Sequence, residues 1–134
     1  MKYTSKAIIL NKNKYLLQLR DNKKNINSPN HWCFFGGSSN KGETAEECIK
    51  RELQEELSIN CKILKKIYEY LSYKTETYIY FFHVKPINKI IFGNLNEGQD
   101  IGWFSKAQIK KIRKAKEVKI FFDFLSKNNS SQPH

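Results

Sequence analysis

The stretch Gly37-Ser38-Ser39-Asn40-Lys41-Gly42-Glu43-Thr44-Ala45-Glu46-Glu47-Cys48-Ile49-Lys50-Arg51-Glu52-Leu53-Gln54-Glu55-Glu56-Leu57-Ser58-Ile59 holds the fold-deciding signal of this chain. Thr44-Ala45-Glu46-Glu47 is a capping box, in which hydroxyl and carboxylate satisfy amides that a helix start leaves orphaned. The acidic first turn suits the positive end of the helix dipole. The spacing predicts a helix running to about Leu57, with Ala45, Cys48 and Ile49 on its inward stripe. Continued along that face, the stripe reaches Glu52 and Glu56, with Glu55 beside them, all within an arc of roughly 100°. A solvated acidic face is the ordinary reading of helix glutamates, but here the charges extend the apolar stripe instead of opposing it. Three such carboxylates repel and raise one another's pKa values. A hard divalent cation, which favours carboxylate oxygen and keeps room for phosphate, removes the conflict. Arg51, four residues before Glu55, is placed to hold that side chain, or to form an ordinary surface ion pair.

Outward from the helix, strands and helices alternate loosely. Ala7–Leu10 and Tyr15–Leu19 read as short strands around the polar turn 11–14, and residues 21–31 read as a loop. Trp32, Phe34 and Phe35 suit a buried strand ending at Gly36-Gly37. Residues 61–71 and 76–84 read as strands, the second ended by Pro86, with a further short strand at Ile90-Ile91-Phe92. Ser105-Lys106-Ala107-Gln108 is a second capping box opening a short helix. Val118, Phe121, Phe122 and Leu125 fall on one face of a closing helix, and Asn128 to His134 read as a frayed tail. The pattern is that of an α/β domain with a mixed sheet covered by helices.

With 134 residues, 40% of them hydrophobic, the chain suits one domain, residues 1–134, with one core. The formal charge of +11 is carried mostly by lysine. It either draws polyanions such as nucleotides or nucleic acid, or is a solvated surface without a partner. Lysine lacks the forked recognition that arginine gives phosphate. Cys33, Cys48 and Cys61 show no metal-type spacing and leave an odd count, which suits a reduced, cytoplasmic protein. No apolar run approaches the roughly 20 residues of a membrane span, so no membrane partner is expected.

Gly37, five residues, Glu43, seven residues, then Arg51-Glu52-Leu53-Gln54-Glu55-Glu56-Leu57-Ser58-Ile59 resembles the Nudix box, G-x5-E-x7-R-E-U-x-E-E-x-G-U with U apolar. Every defining position matches except the last glycine, which is Ser58. The box covers about a sixth of the chain, and its joint spacing is far more specific than a short motif. Tyr15–Arg20 resembles the strand before the box in this family, and Trp32–Gly37 its lead-in. Glu97-Gly98-Gln99 followed by Trp103-Phe104-Ser105 is similar to a later segment whose glutamate often joins the metal site. The resemblance implies an α/β/α sandwich with a mixed sheet between helices. It implies Glu52, Glu55 and Glu56 as ligands of Mg²⁺ or Mn²⁺, and Arg51 as the group that orients them. Glu43 braces the loop or meets a metal through water, and Glu97 is an extra ligand or general base, its alternative being a solvated loop carboxylate. Ser58 stands where φ > 0 is often needed, at a cost of about 1 kcal/mol. Phe35 and Asn40 replace a frequent proline and glutamate.

The implied reaction is hydrolysis of a phosphoanhydride in a nucleoside diphosphate linked to another moiety, such as a nucleoside triphosphate or nucleotide sugar. Glu55 or Glu97 takes the proton of the attacking water, and the products are a nucleoside monophosphate and a phosphorylated remainder, or pyrophosphate. Arg20 and Lys41 are candidate phosphate contacts against a solvated alternative. Tyr78, Tyr80, Trp103 and Phe104 stay open as pocket walls, whereas Trp32, Phe34, Phe81 and Phe82 read as core. His31 and His83 receive no role. Two rivals remain: a regulatory module that binds a nucleotide without cleaving it, and a nucleic-acid binder. The second needs a basic stripe with interleaved aromatics, which is not visible. An RNA 5′-pyrophosphohydrolase reconciles charge and box.

Overall fold

The computed structural model describes residues 2–20, 30–91 and 100–128. They gather into two compact units, one drawn from Met1–Ile9 and Phe35–Asn96, the other from Leu10–Phe34 and Glu97–His134. The chain leaves the first unit after Ile9 and re-enters it at Phe35. Both crossings interrupt what the sequence suggests are single strands.

In the first unit, β1 (Tyr3–Ile8), β5 (Gly36–Ser38), β6 (Cys61–Ser72) and β7 (Thr77–Pro86) form a sheet in the order β5-β1-β7-β6. β1 runs parallel to β7 and antiparallel to β5, and β6 and β7 form an antiparallel hairpin, so the sheet is mixed. Helix α1 (Ala45–Leu57) packs on β1, β5 and β6. Its face of Ala45, Cys48, Ile49, Leu53 and Leu57 joins Ala7, Ile8, Phe35, Phe81 and Val84 in a buried core. The buried Ser5 hydroxyl donates to the Ala45 carbonyl at 2.9 Å, fixing the start of the helix to the central strand.

In the second unit β3 (Lys14–Leu19) is the spine. β2 (Leu10–Asn11) pairs with its start, β4 (Trp32–Cys33) with its end, and β8 (Asp100–Phe104) along its length, all antiparallel. Lys12 and Asn13 both take positive φ, the two-residue hairpin turn whose twist matches its strands. Helices α2 (Lys106–Lys111) and α3 (Lys116–Lys127) follow. Phe121 of α3 meets Phe34 edge-on at 5.5 Å, and Phe122 meets Tyr15 at 4.9 Å. Among the described residues no helix is long and apolar enough to cross a membrane.

Several expectations need correction. The first strand begins at Tyr3, because the polar Ser5 and Lys6 are buried in mid-strand. The Trp32–Gly37 strand is two short ones, with Phe34 and Phe35 between them outside both strands yet fully buried, the Phe35 carbonyl accepting from the Ala7 N–H at 2.9 Å. Trp32 is half-buried against Phe104, at 4.7 Å, not a core residue. Ile90 and Ile91 form no strand, and Phe92 lies outside the described residues. β8 was not expected as a strand. Residues 21–29 of the expected loop and 129–134 of the expected tail also lie outside the described residues.

Candidate active site

The site is built around one guanidinium. The N-terminal capping box of α1 forms as the sequence predicts: the Thr44 hydroxyl accepts from the Glu47 N–H, and the Glu47 carboxylate accepts from the Thr44 N–H. The helix therefore starts at a fixed residue, and its rotation sets where its acidic side chains emerge. Glu56 falls on the buried stripe and is 8% exposed. The Glu52 side chain is 16% exposed and that of Glu55 58%. The three carboxylates thus climb from core to solvent around one side of the helix.

Arg51 ties them to the preceding loop. Its Nε donates to Glu43 Oε2 at 2.8 Å and its Nη2 to Glu43 Oε1 at 3.0 Å, a bidentate pair. Nη1 reaches Glu52 at 3.1 Å and both Glu55 oxygens at 3.2 Å, and Nη2 also donates to the Ser38 carbonyl. Arginine suits this task because its planar fork offers five donors in fixed directions. The Arg51 hydrogen bonds, followed by the Asn40 N–H, hold the Glu43 carboxyl down to about 2. The Arg51 pKa is raised, the Glu43 bond being the largest cause. Glu43 therefore braces the loop. It also shows that the acidic cluster carries its own permanent cation.

The loop has further anchors that sequence reasoning missed. The Gly36 N–H donates to Glu56 Oε1 at 3.1 Å, and the Cys48 thiol to the Gly37 carbonyl at 3.3 Å. A Cβ on Gly37 would stand 2.5 Å from Glu52 Oε1, so the missing side chain makes the space that carboxylate fills. At the exit of α1, Ser58 takes the left-handed conformation expected from its place, φ 55° and ψ 37°. Asn88 supports it, donating from its amide nitrogen to the Ser58 carbonyl at 3.2 Å while its amide oxygen accepts from the Asn60 N–H at 2.7 Å. A lone asparagine in a loop gave no sign of this.

Gly37, Glu43, Arg51, Glu52, Glu55 and Glu56 thus come together as one array within the first unit. Lys41 is exposed on the turn beside Glu43. Tyr80 sits at the other end of the helix. It lines a shallow hollow with Thr44, Glu46 and Lys66, roughly 10 Å along the axis from the Glu52 turn. Tyr78 is its ring neighbour at 6.4 Å. Arg20 and Phe104 belong to the second unit, Arg20 just after β3, where its N–H bonds the His31 carbonyl, and Phe104 closing β8. Glu97 lies outside the described residues. Among the described residues no three acidic, His or Cys side chains are already gathered around a common metal position. Glu52 and Glu55 are turned onto Arg51, and Glu56 onto Gly36.

A family model described as NUDIX domain matches residues 3–124, nearly the whole chain. The chain belongs to the Nudix family. Its fold is similar to that of a NUDIX hydrolase from Nitrosomonas europaea, with 20% identity, 98% of this chain and 74% of that one covered, and a TM-score of 0.78. It is also similar to MutT described from Aliivibrio salmonicida and Vibrio cholerae, at 21% identity, 92% and 95% coverage, and a TM-score of 0.73. An ADP-ribose pyrophosphatase from Streptococcus suis shares 16% identity over 86% and 79% of the two chains, with a TM-score of 0.66. At such identities these likenesses establish the Nudix fold. No curated protein matches the chain in sequence. Family membership places this Nudix protein among the Nudix-type pyrophosphohydrolases, enzymes that hydrolyse acid anhydrides.

Proposed function

We propose that this Nudix protein hydrolyses a phosphoanhydride bond of a nucleoside diphosphate derivative and depends on Mg²⁺ or Mn²⁺ to do so. The observation that carries the reading is the single guanidinium clasping Glu43, Glu52 and Glu55, with Glu56 on the next turn bonded to the loop backbone. We take residues 1–134 as a single catalytic domain, since the family match runs across segments of both units.

The residues fit a hard divalent cation. All donors are carboxylate oxygens, and the space beside Gly37 is already taken by a carboxylate. A cationic group also stands among them in the form of Arg51. Glu52, Glu55 and Glu56 would hold the ion, and Glu97 is a further candidate. When bound, it supplies charge neutralisation for the phosphates and lowers the pKa of water.

The protein's own groups have separate tasks. Arg51 keeps Glu52 and Glu55 on one side of the helix, and Glu43 keeps Arg51 in place. Glu55, the most exposed of the three, accepts the proton of the attacking water, with Glu97 as the alternative base. The surplus of lysine raises the local concentration of a polyphosphate substrate. ADP-ribose, the substrate implied by one structural neighbour's name, belongs in a first screen with nucleoside triphosphates, nucleotide sugars and dinucleoside polyphosphates.

Glu55→Gln tests the assignment. The side chain is largely exposed, so its charge contributes little to stability. The variant is expected to melt like the parent and to lose about 10²- to 10⁴-fold in kcat, the usual range for a general base. Near-parental turnover in a folded Glu55→Gln protein refutes the role.

A further inference from the structure

The second unit contains a cavity of about 470 Å³ in which α2 and α3 supply most of the wall. None of its lining residues belongs to the Nudix box. Lys106, Lys110, Lys114 and Lys119 line it, and among the described residues Asp123 is the only acidic side chain in its lining. Asp123 is paired with Lys119 at 2.8 Å, and its carboxyl is also held below its usual range by the charges of Lys127 and Lys114. The cavity therefore keeps a surplus of positive charge.

Its floor has a different character. Ile109 and Leu125 are buried, and the half-buried Phe122 turns part of its ring to the cavity while packing edge-on against Tyr15 and Phe121. Lysines on a solvated surface have no need of a recess or an apolar floor. Here ammonium groups share one concavity with an aromatic ring. Burial lowers the pKa of Lys106, as expected of an ammonium that has given up part of its water. The volume lies within the range of small-molecule sites, roughly 300–1,000 Å³. A single compact ligand fits it better than a nucleic-acid backbone, which needs an extended basic track.

We propose that this cavity is a binding site for a small organic polyphosphate, a nucleoside di- or triphosphate, with phosphates against Lys106, Lys110 and Lys114 and its base against Phe122. The site works without a divalent cation, because the lysines provide the counter-charge. It is independent of the chemistry assigned to the box glutamates.

The test is amide-resolved NMR of the full chain titrated with ATP in excess EDTA. The expected result is saturable shifts at Lys106, Ile109, Lys110, Lys119 and Ser126. They should persist in Glu55→Gln and become about tenfold weaker in Lys110→Glu/Lys114→Glu, which reverses one exposed and one half-buried charge. Lys62→Glu/Lys65→Glu changes net charge by the same amount on β6 and is the control. The proposal is overturned if these amides do not move, or if the control weakens ATP as much as the cavity variant does. Inorganic triphosphate binding as tightly as ATP would equally overturn the assignment to an organic ligand.

Discussion

Replacing Gly37 with alanine separates the folding role of the loop from its chemical role. Gly37, unlike Gly36, has no positive φ, so its backbone tolerates a side chain. The added methyl would stand 2.5 Å from Glu52 Oε1 and 2.6 Å from its carboxyl carbon. Relief needs a movement of about 1 Å, and the far end of a glutamate gives way more easily than backbone. Moving it breaks the 3.1 Å contact with Arg51, a partly exposed ion pair worth about 0.5–1 kcal/mol. Alanine in place of glycine restores about 0.4–1 kcal/mol by restricting the unfolded chain. These terms cancel, and the melting temperature is expected to stay within about 4 °C of the parent. Turnover should fall about a hundredfold, since an ångström of misplacement in a reacting constellation costs that much.

Gly36→Ala is the counterpart. Its φ of +142° disfavours a side chain, and its Cβ would meet the Ser5 carbonyl oxygen at 1.9 Å, in the backbone of the central strand. That variant should lose about 3 kcal/mol or more of stability. Calorimetry paired with steady-state rates over a range of Mg²⁺ concentrations reads both outcomes. A folded Gly37→Ala protein with parental turnover and an unchanged metal requirement would refute the placement of Glu52 in the reacting array.

Three further outcomes follow from the same geometry. Glu43 has a folded pKa of about 2 against 4.5, so its pairing stabilises the fold fully above pH 4.5 and is lost as pH falls toward 2; allowing for partial exposure the effect is about 2 kcal/mol. Urea melts between pH 6 and 2.5 should therefore be flatter for Glu43→Gln than for the parent, and equal slopes would sink the assignment. Ser58→Gly should stabilise by about 0.5–1 kcal/mol by relieving the left-handed serine, whereas Asn88→Ala should cost about 1–2 kcal/mol by unpairing two backbone groups; chemical denaturation of both variants checks the opposite signs. Removing divalent ions with EDTA should abolish turnover yet leave the far-ultraviolet spectrum intact and the apo protein cooperatively folded, because Arg51 already offsets the acidic charges; unfolding on chelation would mean that the ion holds the helix.

The parts of the fold that were legible are those governed by short-range rules. Thr44/Glu47 and Ser105/Gln108 announce two helix starts within a residue, since a capping box is a local hydrogen-bond exchange. Ser58 was legible as a left-handed exit only through the resemblance, which has a glycine at that place. What escaped depends on partners far along the chain. β8, Asp-Ile-Gly-Trp-Phe, carries no clear alternation and is a strand because Leu16, Leu17 and Gln18 stand opposite it. Phe34 and Phe35 have strand composition, yet they fall between β4 and β5, outside both strands, and are fully buried. In the site, the acidic helix face could be read from periodicity. The bidentate grip of Arg51 on Glu43, eight residues away, could not, because loop and helix must first be folded against each other.

The hydrogen bonds also divide labour among Glu43, Glu52, Glu55 and Glu56 in a way their spacing does not. Glu43 has one oxygen on Arg51 Nε and the other shared between Arg51 Nη2 and the Asn40 N–H, so ionisation is built into the loop. Glu56 is buried with one oxygen on the Gly36 N–H, and moving it disturbs the junction between β5 and α1. Glu52 and Glu55 share a single nitrogen of Arg51, at longer distances, and Glu55 faces solvent. Charge-assisted bonds strengthen with short, paired geometry, so the Glu43 pair is the last to yield and the Nη1 contacts the first. A dication arriving from solvent would therefore compete with Arg51 for Glu52 and Glu55 while leaving Glu43 and the loop undisturbed. On this reasoning Arg51 is a placeholder for charge at one end and a structural clasp at the other, which lysine, with one nitrogen, cannot reproduce.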